Sequence, residues 1–237
     1  LDLQREEVAE ALLGSVMEKA PIVPCSAQTG AGIAELREAL LAAARSVVRE
    51  RSPHRPFRLA VDRSFTLAGA GTVVTGTVTS GSVAVGDRVV VSPSGLAARV
   101  RAIHAQNRSA EIGRAGDRCA LNLAGDGVTK EAVRRGDVVG DPALHAPTAR
   151  IDAEIRVLAA ETKPIVQWMP VRLHVGAAEI GARIVLLDET PIAPGATGLV
   201  QLVLERPIAA ARGDRFVLRD TSAQRTLGGG RFLDLRA

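Results

Sequence analysis

The chain has 237 residues, a formal charge of +4 and a hydrophobic content of 46%, which is enough for one or two domains with buried cores. No stretch approaches the roughly 18 to 20 uncharged apolar residues of a membrane helix, so a soluble cytoplasmic protein with no membrane partner is the expectation. Cys25, Cys119, His54, His104, His145 and His174 stand in no metal-ligand spacing, so no metal site and no Cys/His nucleophile is expected, and both cysteines read as small apolar residues.

The first predicted element is a helix over residues 3–19, with Leu3, Val8, Leu12, Leu13 and Val16 at helical spacing and charges on the other face. Its start, "LDLQREEVAE", lacks the basic and then apolar pattern of an export signal. "APIVPCSA" predicts a short buried strand. "TGAGIAELREALLAAARSVVRER" predicts a second helix, striped by Ile33, Leu36, Leu40 and Val47. "RSPHRP", residues 51–56, ends this helix–strand–helix piece, because two prolines and a run of charge force an extended backbone.

Beyond it the apolar period changes from 3.6 to 2. "FRLAVDRSF", "TVVTGTVTSG", "DRVVVSP", "ARVRAIHA", "RCALNLAG" and "DVVGDP" predict short strands. After a second joint at "HAPTAR", residues 145–150, "IDAEIRVLA", "MPVRLHVG", "ARIVLLD", "GLVQLVLERPI" and "DRFVLRD" predict more. Gly-Asp pairs at 86–87, 116–117, 136–137 and 213–214 each precede an apolar run; glycine allows a left-handed turn and aspartate is expected to bond the backbone that follows. The fold class is therefore mainly β, two consecutive β-barrels preceded by an α/β remnant, with domains at 1–52, 53–147 and 148–237.

"AGAGTVVTGTVTSG", residues 68–81, tests for nucleotide chemistry. Gly71 and Gly76 have the spacing of a phosphate-binding loop, but Thr77 stands where its lysine is needed, and Val74 occupies the third glycine position of a dinucleotide fingerprint. The stretch reads instead as a half-buried strand, with glycines where the chain bends or another backbone comes close. Nearly all positive charge is arginine, the only lysines being Lys19, Lys130 and Lys163. Arginine suits bidentate phosphate contacts, although a genome biased toward arginine and alanine gives the same composition. Aromatic residues at 2% argue against a platform for stacking single strands.

"GAGTVVTGTVTSGSVAVGD", "RAGDRCALNLAG" and "VRRGDVV" resemble, in the same order and spacing, the second domain of translational GTPases of the elongation factor Tu family. "FRLAVDRSFTLAGAGTVVTG", "VRAIHAQN", "LNLAGD", "QWMPVRLH" and "FVLRDTSAQRTLGGGRF" are similar to its selenocysteine-specific branch, covering nearly all of residues 57–234. Asp62-Arg63 with "HAQN" and "QW" carries that finer likeness. "PCSAQTGAGI" resembles the last guanine-binding loop of the GTPase domain, with the backbone at Ser26 and Ala27 beside the base, and Leu1-Asp2 fits the tail of the preceding guanine motif.

The resemblance implies a fragment of a translation elongation factor that carries selenocysteinyl-tRNA to the ribosome. GTP and Mg²⁺ would serve the full-length parent, which would also reach the selenocysteine-insertion element of the mRNA. The P-loop, the switch regions and the family's C-terminal winged helices have no counterpart in this sequence. The chain is thus expected to contain no catalytic residue, to hold no cofactor and to hydrolyse no GTP alone. Two alternatives share the barrels: the GTPase subunit of sulfate adenylyltransferase, and an elongation factor Tu paralogue without selenocysteine preference.

The same resemblance implies an aminoacyl pocket formed by Asp62, Arg63, His104 and Arg118. Arg118 stands where elongation factor Tu usually has asparagine, a cation suited to the readily ionised selenol. The other reading of Asp62 and Arg118 is an ion pair between neighbouring strands. Arg225, Thr226, Gly228, Gly229 and Gly230 match the strand that lies against the tRNA T-stem, the glycines letting the RNA backbone approach; they read equally as a bulged closing strand. Trp168 reads as a core anchor or interdomain packing residue, and His174, alternating with Leu173 and Val175, is in a position to face the tRNA but is not counted among the site residues.

Overall fold

A polar–apolar alternation leaves each strand one face to bury, and closing the sheet into a barrel buries all those faces together. The structure, a computed structural model, describes residues 2–46, 55–69 and 71–237. The chain divides into two units, Leu1–Glu50 and Arg51–Ala237. Leu1 of the suggested guanine motif, the stripe residue Val47, His54 with most of "RSPHRP", and Ala70 lie outside the described residues.

In the first unit, α1 (Asp2–Leu12) and α2 (Ile33–Ser46) bury none of their residues. α1 is shorter than its apolar spacing predicts: residues 13–19 form turns, with Gly14 in the left-handed region at φ +71°. "APIVPCSA" forms no strand, contrary to expectation, and no strand is present among this unit's described residues. Strand donors and acceptors need a neighbouring strand to bond. Cys25 is exposed rather than buried; Cys119 is buried as expected.

The second unit opens with β1 (Arg58–Leu67), β2 (Gly71–Ser80), β3 (Ser82–Ala84), β4 (Arg88–Ser92) and β5 (Leu96–Ala105). β6 (Arg108–Ala110), β7 (Ile112–Arg114), β8 (Arg118–Ala124) and β9 (Val138–Gly140) follow. Strands β4-β9-β1-β2-β8-β5 close on themselves through a β4–β5 pairing, β6 extends β5, and β3 pairs with β7. Leu59, Val61, Val74, Val91, Val100, Leu121 and Val139 fill the interior.

The remaining strands are β10 (Thr148–Val157), β11 (Pro170–Val175), β12 (Ala178–Leu186), β13 (Thr197–Ile208), β14 (Arg215–Arg219) and β15 (Thr226–Asp234). They form a closed barrel in the order β10-β13-β12-β11-β14-β15. Ile151, Ile155, Leu173, Ile184, Leu202 and Leu218 pack inside it, with Phe216 and Phe232 stacked at 4.9 Å between ring centroids. Mainly β with two consecutive barrels is the expected fold class, whereas the described part of the first unit has helices without the expected strand; the short β3, β6 and β7 had no alternation to announce them, and β15 was expected from the resemblance alone.

The four Gly-Asp pairs are one device. Gly86, Gly116, Gly136 and Gly213 have φ between +86° and +95°, and each following aspartate N–H donates to the carbonyl three residues earlier, at 2.9 to 3.2 Å. This is a type II turn. The carboxylate bonds the preceding backbone, not the following one: Asp87, Asp117, Asp137 and Asp214 accept the N–H of Ala84, Arg114, Arg134 and Ala211 at 2.8 to 2.9 Å. Each turn is thus closed from both sides before its strand starts.

Asp214 also ties the barrels together. Arg58 donates from Nη1 to its Oδ1 at 2.9 Å and from Nη2 to its Oδ2 at 2.7 Å. Beside this pair Gly136 presses on the second barrel so closely that a Cβ there would stand 2.7 Å from the Cα of Ala178.

Candidate functional site

Asp62 owes its position to a β-bulge. In the β1–β2 pairing Val61 faces Gly76 and Arg63 faces Thr75, so Asp62 is the extra residue. Gly76 lets the strands pack here, since a Cβ on it would stand 2.0 Å from the carbonyl oxygen of Ala60. The Asp62 carboxylate accepts the Thr75 hydroxyl at 2.7 Å and both Nη1 and Nη2 of Arg118, the latter at 3.2 Å.

Arg118 opens β8, opposite Thr77 of β2. The pair therefore does not join neighbouring strands, as one reading had it, but arches over β2. The Arg118 contact, aided by Thr75 and the Arg63 charge, holds the Asp62 carboxyl below its ordinary value of 3.8 against the opposing effect of burial, and Asp62 raises Arg118 in turn. Half of the Arg118 side chain is exposed, so this guanidinium has donors left over on the solvent side.

Register places the other two predicted residues on the same outer wall. Arg63 pairs with Thr75, Thr75 with Ala120, and Ala120 with His104 of β5. His104 is exposed and sits one diagonal step from Arg118, since Ala120 follows Arg118 by two residues. Asp62, Arg63, His104 and Arg118 thus share one open face of the first barrel.

The second predicted site has a different explanation for its glycines. A Cβ would stand 2.3 Å from the Arg156 carbonyl oxygen at Gly228, 2.7 Å from that of Phe216 at Gly229, and 1.9 Å from that of Glu154 at Gly230. The barrel's own backbone demands these glycines, and β15 is the closing strand, with a register shift against β14 beside Arg219. Arg225 and Thr226 lie at the exposed mouth of that strand. Asp220 shapes the loop before them: its carboxylate accepts the N–H groups of Arg225 and Gln224 and the Ser222 hydroxyl, which hold it below its usual range. Arg225 reaches Glu161 at 3.7 Å.

Around Gly229 the register assembles a cationic wall that sequence reasoning missed. Arg172 stands opposite Arg219, Arg215 opposite Arg231, and Arg156 opposite Gly229. All alternate with buried residues and so face outward. Like charges directly opposite destabilise a sheet. Glu154 takes up Arg231 at 3.1 Å and Glu179 stands 3.9 Å from Arg172, whereas Arg156, Arg215 and Arg219 make no ion pair among the described residues. His174 lies in this wall opposite Val217, and its Nε2, like Nε of Arg219, is buried without a partner. Only cross-strand register reveals the cluster, because the arginines are far apart in sequence.

In the first unit, Ser26 and Ala27 begin a tight loop. Ser26 donates its N–H to Ala31, and its carbonyl and hydroxyl oxygens accept from Gly30 and Thr29. Ala27 is exposed. No group of three or more His, Cys, Asp or Glu suited to a metal is found among the described residues.

Residues 71–140 match the family described as elongation factor Tu domain 2, and residues 152–237 that described as the β-barrel domain of selenocysteine-specific elongation factor. The chain is 38% identical to the selenocysteine-specific elongation factors of Desulfomicrobium baculatum and of Escherichia coli (strain K12). In each case 99% of this chain is covered and 36% of the relative, so the chain spans about a third of the length of these proteins. A crystal structure of a bacterial selenocysteine-specific elongation factor superposes with a TM-score of 0.81 at 28% identity, covering all of this chain and 38% of that one.

Proposed function

Since the chain belongs to the selenocysteine-specific elongation factor family, we propose that its two barrels, residues 53–147 and 148–237, hold the aminoacyl end and the stem of selenocysteinyl-tRNA. Residues 1–52 are then the end of a GTPase domain. GTP and Mg²⁺ belong to the remainder of the full-length factor, which delivers the tRNA to the ribosome in the cytoplasm. Ser26 and Ala27 contribute to this chain's share of the guanine site.

The observation that carries the reading is the Asp62–Arg118 pair on an open barrel wall. Asp62, fixed by the bulge and by Thr75, orients the guanidinium. The unused N–H donors of Arg118 are presented to the side chain of the esterified amino acid, with Arg63 and His104 flanking. Selenocysteine is ionised near neutral pH and serine is not, so the cation favours selenocysteine. A charge-assisted hydrogen bond contributes about 1.5 to 3 kcal/mol, or roughly tenfold to hundredfold in preference. Arg225 and Thr226, backed by the cationic wall, receive the phosphates of the RNA stem.

Arg118→Ala in the full-length factor tests the pocket. Affinity for selenocysteinyl-tRNA is expected to fall toward that for seryl-tRNA on the same acceptor, with seryl-tRNA binding nearly unchanged. Undiminished discrimination would reject the assignment.

A further inference from the structure

Trp168 is neither a core anchor nor at the contact between the barrels. It is 52% exposed and lies in the 158–169 connection from β10 to β11, at the end of the barrel away from Asp214. Its φ is +61°, a conformation that bulky residues rarely adopt, and an outlier of this kind in an exposed aromatic calls for a functional explanation.

The backbone beneath the indole is firmly held. Trp168 donates its N–H to Ile184 at 2.7 Å and accepts Nη1 of Arg183 at 3.3 Å. Gln167 Oε1 accepts the N–H of Leu186 at 2.6 Å, and Met169 donates its N–H to Val166 and accepts that of Ile184. A ring presented from so rigid a frame loses little freedom when something stacks on it.

Beside the Trp168 backbone, whose carbonyl Arg183 contacts, runs a groove of about 300 Å³ lined by Pro170, Arg172, Gly181, Arg183, Glu205 and Thr221 among others. The indole stands at its edge in sequence, two residues before Pro170, and does not itself line it. Arg183 makes no ion pair among the described residues, and its contact to the Trp168 carbonyl leaves other donors unused. Across Gly181, where a Cβ would collide with it, lies the carboxylate of Glu205. An aromatic face, a cationic rim and one carboxylate acceptor complement a nucleotide: a flat base, a phosphate and an exocyclic amino group. An acidic peptide would leave both the ring and the acceptor oxygens of Glu205 unused.

We propose that Trp168 and this groove bind one unpaired nucleotide of an RNA, its base stacked on the indole and its phosphate held by Arg183 and Arg172. The proposal rests on the reading of the barrels as RNA-binding, since Arg172 belongs both to this groove and to the cationic wall.

Trp168 is the sole tryptophan and tyrosine is absent, so the emission of the 237-residue chain reports this residue alone. The chain is titrated with the selenocysteine-accepting tRNA and, separately, with a blunt RNA duplex, while filter retention measures binding in the same samples. Emission is expected to fall in step with retained tRNA and to respond little to the duplex. Trp168→Leu is expected to weaken tRNA binding about tenfold and Trp168→Phe much less. Retained tRNA with unchanged emission, equal quenching by the duplex, or full affinity in Trp168→Leu would overturn the nucleotide site while leaving the RNA-binding reading standing. Failure of the unaltered chain to retain tRNA would overturn both.

Discussion

Asp62 shows how much one extra residue in a strand can do. Without the bulge its side chain would follow the strict alternation of β1; with it, the carboxylate meets Thr75 and the guanidinium of Arg118. Because its folded-state pKa lies below the ordinary 3.8, the ion pair's contribution to stability is complete above that value and is lost as pH falls through the lower, folded-state value. Arg118→Ala removes the main cause of the depression. The Asp62 carboxyl, followed by NMR titration, is expected to move upward, and an unmoved titration would show that Arg118 does not set it. Buried Asp137 runs the other way: burial raises its pKa, so its share of stability is present at low pH and lost as pH rises through the raised value. Cys119 is pushed up to about 11 by burial and is inert as a thiolate. The identities of Asp62 and Arg118 were legible as a pair from resemblance, but their arch over β2 was not, because a bulge has no signature in a pattern of alternating residues.

At the level of the element, β15 illustrates how a glycine run can be misread. Gly228, Gly229 and Gly230 stand next to a candidate RNA contact, yet the backbone atoms they accommodate are those of β10 and β14. Gly230→Ala would place a methyl within 2 Å of the Glu154 carbonyl oxygen, with the Phe216 ring also in the way. Thermal denaturation is expected to show a loss of more than about 2 kcal/mol, in the range of overpacked cores; a stability within about 0.5 kcal/mol of the parent, the range of surface substitutions, would refute this account. In the proposed function the phosphate role is assigned instead to Arg225, which follows the loop held by Asp220, and to Arg219. Arg219→Ala combined with Arg225→Ala is expected to lower the salt slope of tRNA binding by roughly 1 to 2; an unchanged slope would remove both from the phosphate contacts. The paired arginines facing Gly229 were invisible in the sequence, since cross-strand neighbours are set by register rather than by spacing along the chain.

In the whole second unit, Arg58 and Asp214 join the two barrels through a bidentate pair whose side chains are only 16% and 24% exposed. Asp214 closes its own turn with the same carboxylate, so the start of β14 and the barrel contact depend on each other. Arg58→Ala is expected to lower the stability of the two-barrel unit by about 1.5 to 3 kcal/mol, measured by denaturant unfolding; no loss would show that the pair is dispensable. Periodicity alone was enough to specify a mainly β chain and most of its longer strands, because burial of alternate residues is a local pattern that any closed sheet must satisfy; it did not give β3, β6, β7 or β15. Motif spacing was enough to reject a phosphate loop at 68–81, since Thr77 cannot replace a lysine. Periodicity failed where structure depends on partners distant in the chain: "APIVPCSA" has strand-forming residues but no strand beside it among the described residues, and Trp168, expected to be packed, is exposed. Which side chains meet, the Asp62–Arg118 arch, the arginine wall and the Arg58–Asp214 tie, follows from strand order and register, and these are long-range contacts whose energy no local segment contains.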